Sequence, residues 1–331
     1  SNFNTVKTKV EGLRSNTTYY YAMANAGSIA SGFIGRFKTW DETTRSFTFA
    51  LGSCSDNRVS AGVNPVLFDT IRAKDPLFFL HTGDMNYNDG LNPNTEAMFH
   101  ENWDKVFELS ARQKEFWQNL PVSYIWDDHD YGMNDGDTTF AARSIAREVF
   151  QRIVPHYPLP GGEGDVGIYH SFSVGRSYFI VTDNRSCADP ISKTDGPDKT
   201  RLGATQKAWL KQQLLFARDN YAVTVLVMPT TSGGAASAGS DTWAGYSYER
   251  AEIVDFIVNN EIDSVFILSG DAHSCALDDG TNMMFGSDSE CGGLVTFQAA
   301  PLHQTASLKG TPYTTGPYPA VAGATKNQYG L

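Results

Sequence analysis

Cysteine is scarce in this chain, with four residues, Cys54, Cys187, Cys275 and Cys291, among 331. So few thiols exclude a disulfide-built scaffold. Cys275 and Cys291 flank a Gly/Asp-rich segment; a bridge closing that loop and two reduced, buried thiols are both compatible with the pattern. No apolar run is long enough to span a bilayer, so no transmembrane segment is expected. Basic residues are outnumbered, 26 Lys+Arg against 37 Asp+Glu, for a formal net charge of −11. That balance argues against a surface that coats nucleic acid, and no stable nucleic-acid complex is expected. Internal repeats and low-complexity tracts are missing. So is a visible signal peptide, although the chain opens inside a β-pattern and its natural N-terminus is expected upstream. What remains is 41% hydrophobic and 19% charged, the balance of a folded globular protein larger than one typical domain.

Residues 1–40 read as β-structure, with strand candidates at Thr18–Ala22 and Gly32–Thr39. Two or three strands do not form a stable domain alone, so they are expected to end a β-sandwich that begins earlier. From residue 46 the pattern changes. Strand candidates run over 46–53, 77–82, 122–126, 223–228 and 264–269, with a hairpin over 167–183. Helix candidates cover 65–72, 140–153, 205–218 and 248–259. The nearly all-apolar Leu77–Leu80 run suits a strand covered on both faces. This alternation predicts an α/β domain over 46–331 with a mixed sheet. Residues 310–331, rich in Gly, Pro, Tyr and Thr, read as a long irregular cap, beyond which a further strand is expected.

Four strand candidates run into polar residues. They end in Cys54-Ser55-Asp56, in Gly83-Asp84-Met85-Asn86-Tyr87, in Asp127-Asp128-His129-Asp130, and in Gly270-Asp271-Ala272-His273. Ligands of α/β sheets bind outside the carboxyl ends of strands, so four such ends can converge on one site. Each block alone has a plainer reading: Gly-Asp is usually a turn, and a lone cysteine a small buried hydrophobe. Together they make a metal-ligand inventory of thiol, carboxylates, phenol and imidazoles. Three acids flanking His129 would repel one another unless solvated or neutralised by cations.

These blocks, with Asp183-Asn184-Arg185 and Asp241-Thr242-Trp243-Ala244-Gly245-Tyr246 … Glu249-Arg250, resemble in order the motifs of PhoD-like phosphatases. That family is a branch of the calcineurin-like metallophosphoesterases related to purple acid phosphatases. The resemblance covers residue 46 to the end and implies a four-layer β-sandwich flanked by helices around a multinuclear metal centre. Residues 1–40 resemble the last strands of a fibronectin type III-like module. Where the wider superfamily has Asp-x-His, Gly-Asn-His-Glu and Gly-His-x-His, this chain has Cys54-Ser55-Asp56, Asp127-Asp128-His129-Asp130 and Gly270-Asp271-Ala272-His273. One metal position thus exchanges nitrogen for hard oxygen, which suits Ca²⁺, Mg²⁺ or Mn²⁺ better than Zn²⁺. The other keeps Cys54, Asp84, Tyr87 and His273, a donor set that the resemblance assigns to Fe³⁺. Asp84 is expected to bridge the two, Asp128 and Asp271 to complete the calcium-type site, and Asp56 to bind either metal or a second Ca²⁺.

The expected reaction is metal-dependent hydrolysis of phosphate mono- or diesters, with a metal-activated water attacking phosphorus in line. His129 is the expected general acid, oriented by Asp130 or Asp127. Arg185 is expected to meet phosphoryl oxygens, the alternative being a salt bridge to Asp183 or Asp189. Trp243 and Tyr246 either wall the cleft or lie in the core, and residues 232–240 are either a lid or a surface loop. Narrower alternatives are a phospholipase D-like or nucleotide-specific diesterase, and a non-catalytic Ca²⁺-binding or adhesion protein. The Asn16-Thr17-Thr18 sequon leans toward a secreted protein, and a secreted, periplasmic or cell-surface enzyme scavenging phosphate is expected. The second sequon, Asn184-Arg185-Ser186, is expected to go unused.

Overall fold

A parallel three-stranded sheet is built from β3 (Ala50–Gly52), β4 (Phe79–Thr82) and β5 (Val122–Ile125), in that order. The structure, a computed structural model, describes residues 5–41, 43, 46–56, 65–87, 92–108, 110–234, 240–288, 293–319 and 325–331. Facing the small sheet is a larger one in the order β13-β10-β11-β9-β8-β7-β6. Its strands are β6 (His170–Val174), β7 (Ser177–Val181), β8 (Val223–Met228), β9 (Val265–Ser269), β10 (Cys275–Asp278), β11 (Thr296–Ala299) and β13 (Thr315–Tyr318). The pairs from β7 through β8 and β9 to β11 are parallel and the outer pairs antiparallel, so the sheet is mixed as expected.

Side-chain alternation explains the layering, because successive residues of a strand face opposite sides. Leu51, Leu80 and Ile125 of the small sheet meet Phe179, Val181, Val225, Val227 and Leu268 of the large one in a shared core. The alternate residues Tyr178, Ile180, Leu226, Met228 and Ile267 face outward onto Leu210 and Leu214 of α6 (Gly203–Asn220) and Ile253, Val254 and Ile257 of α7 (Ser247–Asn259). On the far side, Ala50 and Phe79 meet Leu67, Phe68 and Ile71 of α1 (Leu67–Ala73) and Phe116 of α3 (Ala111–Asn119). The result is four layers, helix, sheet, sheet and helix.

Several expectations shift in detail. The strand expected over 46–53 keeps regular pairing only over Ala50–Gly52, while Phe47 and Phe49 pack against Phe78. Helices α2 (Glu96–Glu108) and α3 are additions that the sequence pattern did not signal. Both carry mostly polar residues, so their apolar stripes are narrow. The tail is not wholly irregular: β12 (Gln304–Thr305) pairs with β14 (Thr325–Lys326), and Gly330 exchanges backbone hydrogen bonds with Leu51 at 2.8 and 3.0 Å. At the other end, β1 (Thr18–Asn25) and β2 (Ser28–Lys38) form an antiparallel hairpin. It leans on α3, with the Tyr21 hydroxyl donating to the Gln118 carbonyl at 3.1 Å. Cys54, Cys187 and Cys275 are free thiols; Cys291 lies outside the described residues, as do 235–239 of the proposed lid.

Candidate metal centre

The carboxyl ends of β3, β4, β5 and β9 do converge. Two glycines permit the approach. A Cβ at Gly83 would overlap that of Asp127, and one at Gly270 would strike the Thr82 and Pro229 carbonyls. Immediately beyond the strands, Cys54, Asp84, Asp271 and His273 adopt φ of 60°, 58°, 65° and 51°. Non-glycine residues rarely occupy this left-handed region, and such strain concentrates at functional sites. The backbone locks the turns together, with Cys54 N donating to Gly83 O at 3.1 Å and Ser55 N to Asp84 O at 2.8 Å.

Three groups of potential ligand atoms, each within 4.8 Å of one another, form a chain: Cys54, Asp84 and His273; Asp84, Asp128 and His129; and Asp128, Asp135 and Asp241. Asp84 belongs to the first two and Asp128 to the last two. Tyr87 joins the first group. Its hydroxyl lies 3.0 Å from Asp84 Oδ2 and 3.1 Å from His273 Nε2, and Cys54 Sγ lies 3.6 Å from the same Asp84 oxygen. Donors bound at about 2.0–2.3 Å around one ion are separated by roughly such distances. His273 Nδ1 lies 2.8 Å from the Thr305 carbonyl, which directs Nε2 inward as in metal-ligating histidines.

Electrostatics support the same fit. Burial pushes the Cys54 thiol well above its ordinary range, and the charge of Asp84 adds to the shift. Burial likewise raises Asp84, with Asp128 adding to it, and raises the Tyr87 phenol, with Asp84 adding to it. Burial lowers His273, keeping its imidazole neutral. Three buried acids and a neutral imidazole, facing one another, lack only a cation to become anionic ligands. The donors present therefore fit a bound metal.

The neighbouring half is different. Arg185 is 1% exposed and grips Asp127 through Nε. Its fork meets both oxygens of Asp241 at 3.0 Å, and Nη2 lies 3.6 Å from Asp128. Arg201 adds a bond to Asp241 at 2.8 Å, and Lys309 stands 2.6 Å from Asp271 and 3.9 Å from Asp241. Burial opposes the charge on Asp128, but Arg185 and then His129 outweigh it and lower the carboxyl to about 2. Asp241 is held well below its usual range against its burial, chiefly by Arg185. Asp135 goes the other way, raised to about 6 by burial and then by Asp241. Burial also opposes charge on Lys309, yet Asp271 keeps it firmly protonated.

These placements revise several expectations. Arg185, expected to meet phosphoryl oxygens, is enclosed by Asp127, Asp128 and Asp241 instead, and these also stand in place of the alternative partners Asp183 and Asp189. Asp130 accepts from Asn86 N and Nδ2 at 2.9 and 3.0 Å, and Asp127 accepts from Arg185 and Thr230, so both expected orienters of His129 are directed elsewhere. The His129 ring lies against Tyr87, with centroids 4.1 Å apart, and its backbone N–H reaches Asp84 at 3.4 Å. Asp56 and Asp271 belong to none of the three donor groups among the described residues. Asp56 is held by backbone pairing to His303, and Asp271 by Lys309 and Thr231. Trp243 and Tyr246 are fully buried core residues, and Asn184 of the second sequon is fully buried too. Lys309, Asp135 and Arg201 drew no notice from the sequence; Lys309 sits at the edge of the irregular tail, where no periodicity marks a site.

The layers and the shared-carboxylate donor chain define a helix–sheet–sheet–helix sandwich with a metal-type centre at its strand ends. A sequence model described as PhoD-like phosphatase matches residues 49–328, so the chain belongs to the PhoD-like phosphatase family. It is 25% identical over 328 aligned residues to alkaline phosphatase D of Bacillus subtilis (strain 168), an alignment covering 82% of this chain and 53% of that protein. The chain thus spans about half the length of this curated relative. A solved structure described as the structure of PhoD shares the fold, with a TM-score of 0.71 at 21% identity over 87% of this chain and 63% of that one.

Proposed function

We propose that residues 46–331 carry out metal-dependent hydrolysis of phosphate esters. The observation that carries this reading is the convergence of Cys54, Asp84, Tyr87 and His273 at ligand-like separations. Thiolate, phenolate, carboxylate and imidazole together suit a trivalent iron. Asp84 and Asp128, with Asp271 nearby, suit a harder cation of the calcium type. Bound cations of this kind acidify a coordinated water and neutralise charge on phosphoryl oxygens.

The chain's own groups do the rest. Asp84 belongs to both donor groups and would help to hold a cation in either half. His129 is part-buried beside Asp84 and Asp128, where it donates a proton to the leaving alkoxide. Tyr87 lies tilted against its ring, at an interplanar angle of 35°, and limits its rotation. Arg185 is a positioning residue: its fork fixes Asp127, Asp128 and Asp241 while remaining closed to solvent. The relatives' name supports a phosphatase, and the chain's acidic balance fits small phosphate esters better than a nucleic-acid polymer. Among the described residues no helix is long and apolar enough to cross a membrane; secretion or cell-surface exposure with a role in phosphate acquisition is the reading we favour.

The test is turnover of p-nitrophenyl phosphate and bis-p-nitrophenyl phosphate at alkaline pH with calcium, before and after chelation. Activity that disappears with the chelator and returns with added cations is expected. Full metal occupancy without turnover of either ester would leave a binding protein instead.

A further inference from the structure

The chain after β11 runs as a strap along the loop that carries Asp271 and His273. The Thr305 carbonyl lies 2.8 Å from His273 Nδ1. Ser307 N donates to His273 O at 3.2 Å, and its hydroxyl to Ala272 O at 2.6 Å. Lys309 Nζ donates to Asp271 Oδ2 at 2.6 Å. Residues 305, 307 and 309 therefore grip 273, 272 and 271 in turn. Lys309 is itself anchored, its N–H donating to Ser307 Oγ at 3.3 Å and its carbonyl accepting from Tyr313 at 3.2 Å. This is a built placement, unlike a solvated surface lysine.

The consequence falls on Asp271. Three donors converge on its Oδ2: Lys309 Nζ, Thr231 N at 3.2 Å and Thr231 Oγ1 at 3.1 Å. A divalent cation needs carboxylate oxygen at about 2.3–2.6 Å. A cation taking that oxygen meets the ammonium beside it, and two cations on one carboxylate repel across a part-buried medium. We propose that Lys309 and a hard divalent cation compete for Asp271, so that Lys309 sets the affinity at which the oxygen-rich half of the centre loads. This rests on the reading of Asp271 as a ligand of that half. The half around Cys54 is outside the competition, since among the described residues Lys309 Nζ pairs with Asp271 and Asp241 and not with Cys54, Asp84, Tyr87 or His273.

Calcium binding to the purified chain, measured by titration calorimetry on protein that keeps its tightly held metal, tests the competition. Lys309→Met should bind calcium about tenfold more tightly than the wild type, Lys309→Arg should stay near it, and iron content should not change in either. Lys309→Ala carries the same expectation should the Met variant fold poorly. Asp271→Asn separates the proposal from the reading beneath it. Calcium affinity untouched by Asp271→Asn would remove Asp271 from the ligands. Affinity weakened by Asp271→Asn but not raised by Lys309→Met would overturn the competition alone. So would a gain from Lys309→Met that persists in the Asp271→Asn background, since that gain would be a general charge effect.

Discussion

Around Cys54, Asp84 and Tyr87 the anionic donors face one another, whereas around Asp241 the acids face Arg185, Arg201 and Lys309. The first half leaves its acids to be neutralised from outside, and burial accordingly pushes all three upward. The second half neutralises itself with fixed cations, which hold Asp128 and Asp241 ionised despite burial. The difference teaches where a metal is indispensable and where the chain already supplies positive charge. A buried anion without a partner is costly, so ionising the first half calls for a cation from outside, whereas a cation entering the second half meets acids that are already paired.

The sharpest way to break this contrast is Asp84→Asn, which removes the carboxylate shared by both halves. Metal content should fall and kcat/KM for bis-p-nitrophenyl phosphate should drop by more than about a thousandfold, as several kcal/mol of charge stabilisation disappear. His129→Ala removes the imidazole that sits beside Asp84 and Asp128, between the two halves. It should lower kcat by roughly a hundredfold with metal content unchanged, measured by elemental analysis beside steady-state kinetics. An unchanged kcat would remove its acid role.

Arg185→Met probes the self-neutralised half. It strands Asp127 without its buried ion-pair partner and leaves Asp241 to Arg201 and Lys309, which should cost about 3–5 kcal/mol in urea unfolding, with the iron half still loaded. The smallest effect is on pH dependence away from the centre. Burial lowers His81 to about 3 and His170 to about 4. The unfolded chain takes up these protons near pH ~6.5, so their contribution to stability is complete above that value. It is lost as pH falls toward 4 and then 3. Urea midpoints across that window should decline, and His81→Phe should flatten the acid limb.

Much of this architecture was legible beforehand because it rests on local patterns. The apolar run at Leu77–Leu80 and the polar residues after it signalled a doubly covered strand feeding a site, and Phe79 and Leu80 do face opposite cores. The blocks at Cys54, Asp84, Asp128 and His273 pointed to side chains that the fold brings together. What stayed hidden was non-local or conformational. No residue pattern announces that Cys54, Asp84, Asp271 and His273 take left-handed φ, since glycine is the usual marker and none of them is glycine. The burial of Arg185 depends on Asp241, 56 residues away in sequence, and Lys309 reaches Asp271 across 38. Helix α3 stayed hidden for a different reason: only Gln113 and Phe116 of its residues are buried, too few to show a period.

The claim that the Cys54 half requires an external cation is tested most directly by elemental analysis of the purified chain beside Cys54→Ala, both dialysed against chelator. The account predicts about one equivalent of tightly held iron per wild-type chain, lost together with turnover in the variant. Iron retained in Cys54→Ala, or zinc as the sole metal of the wild type, would contradict it.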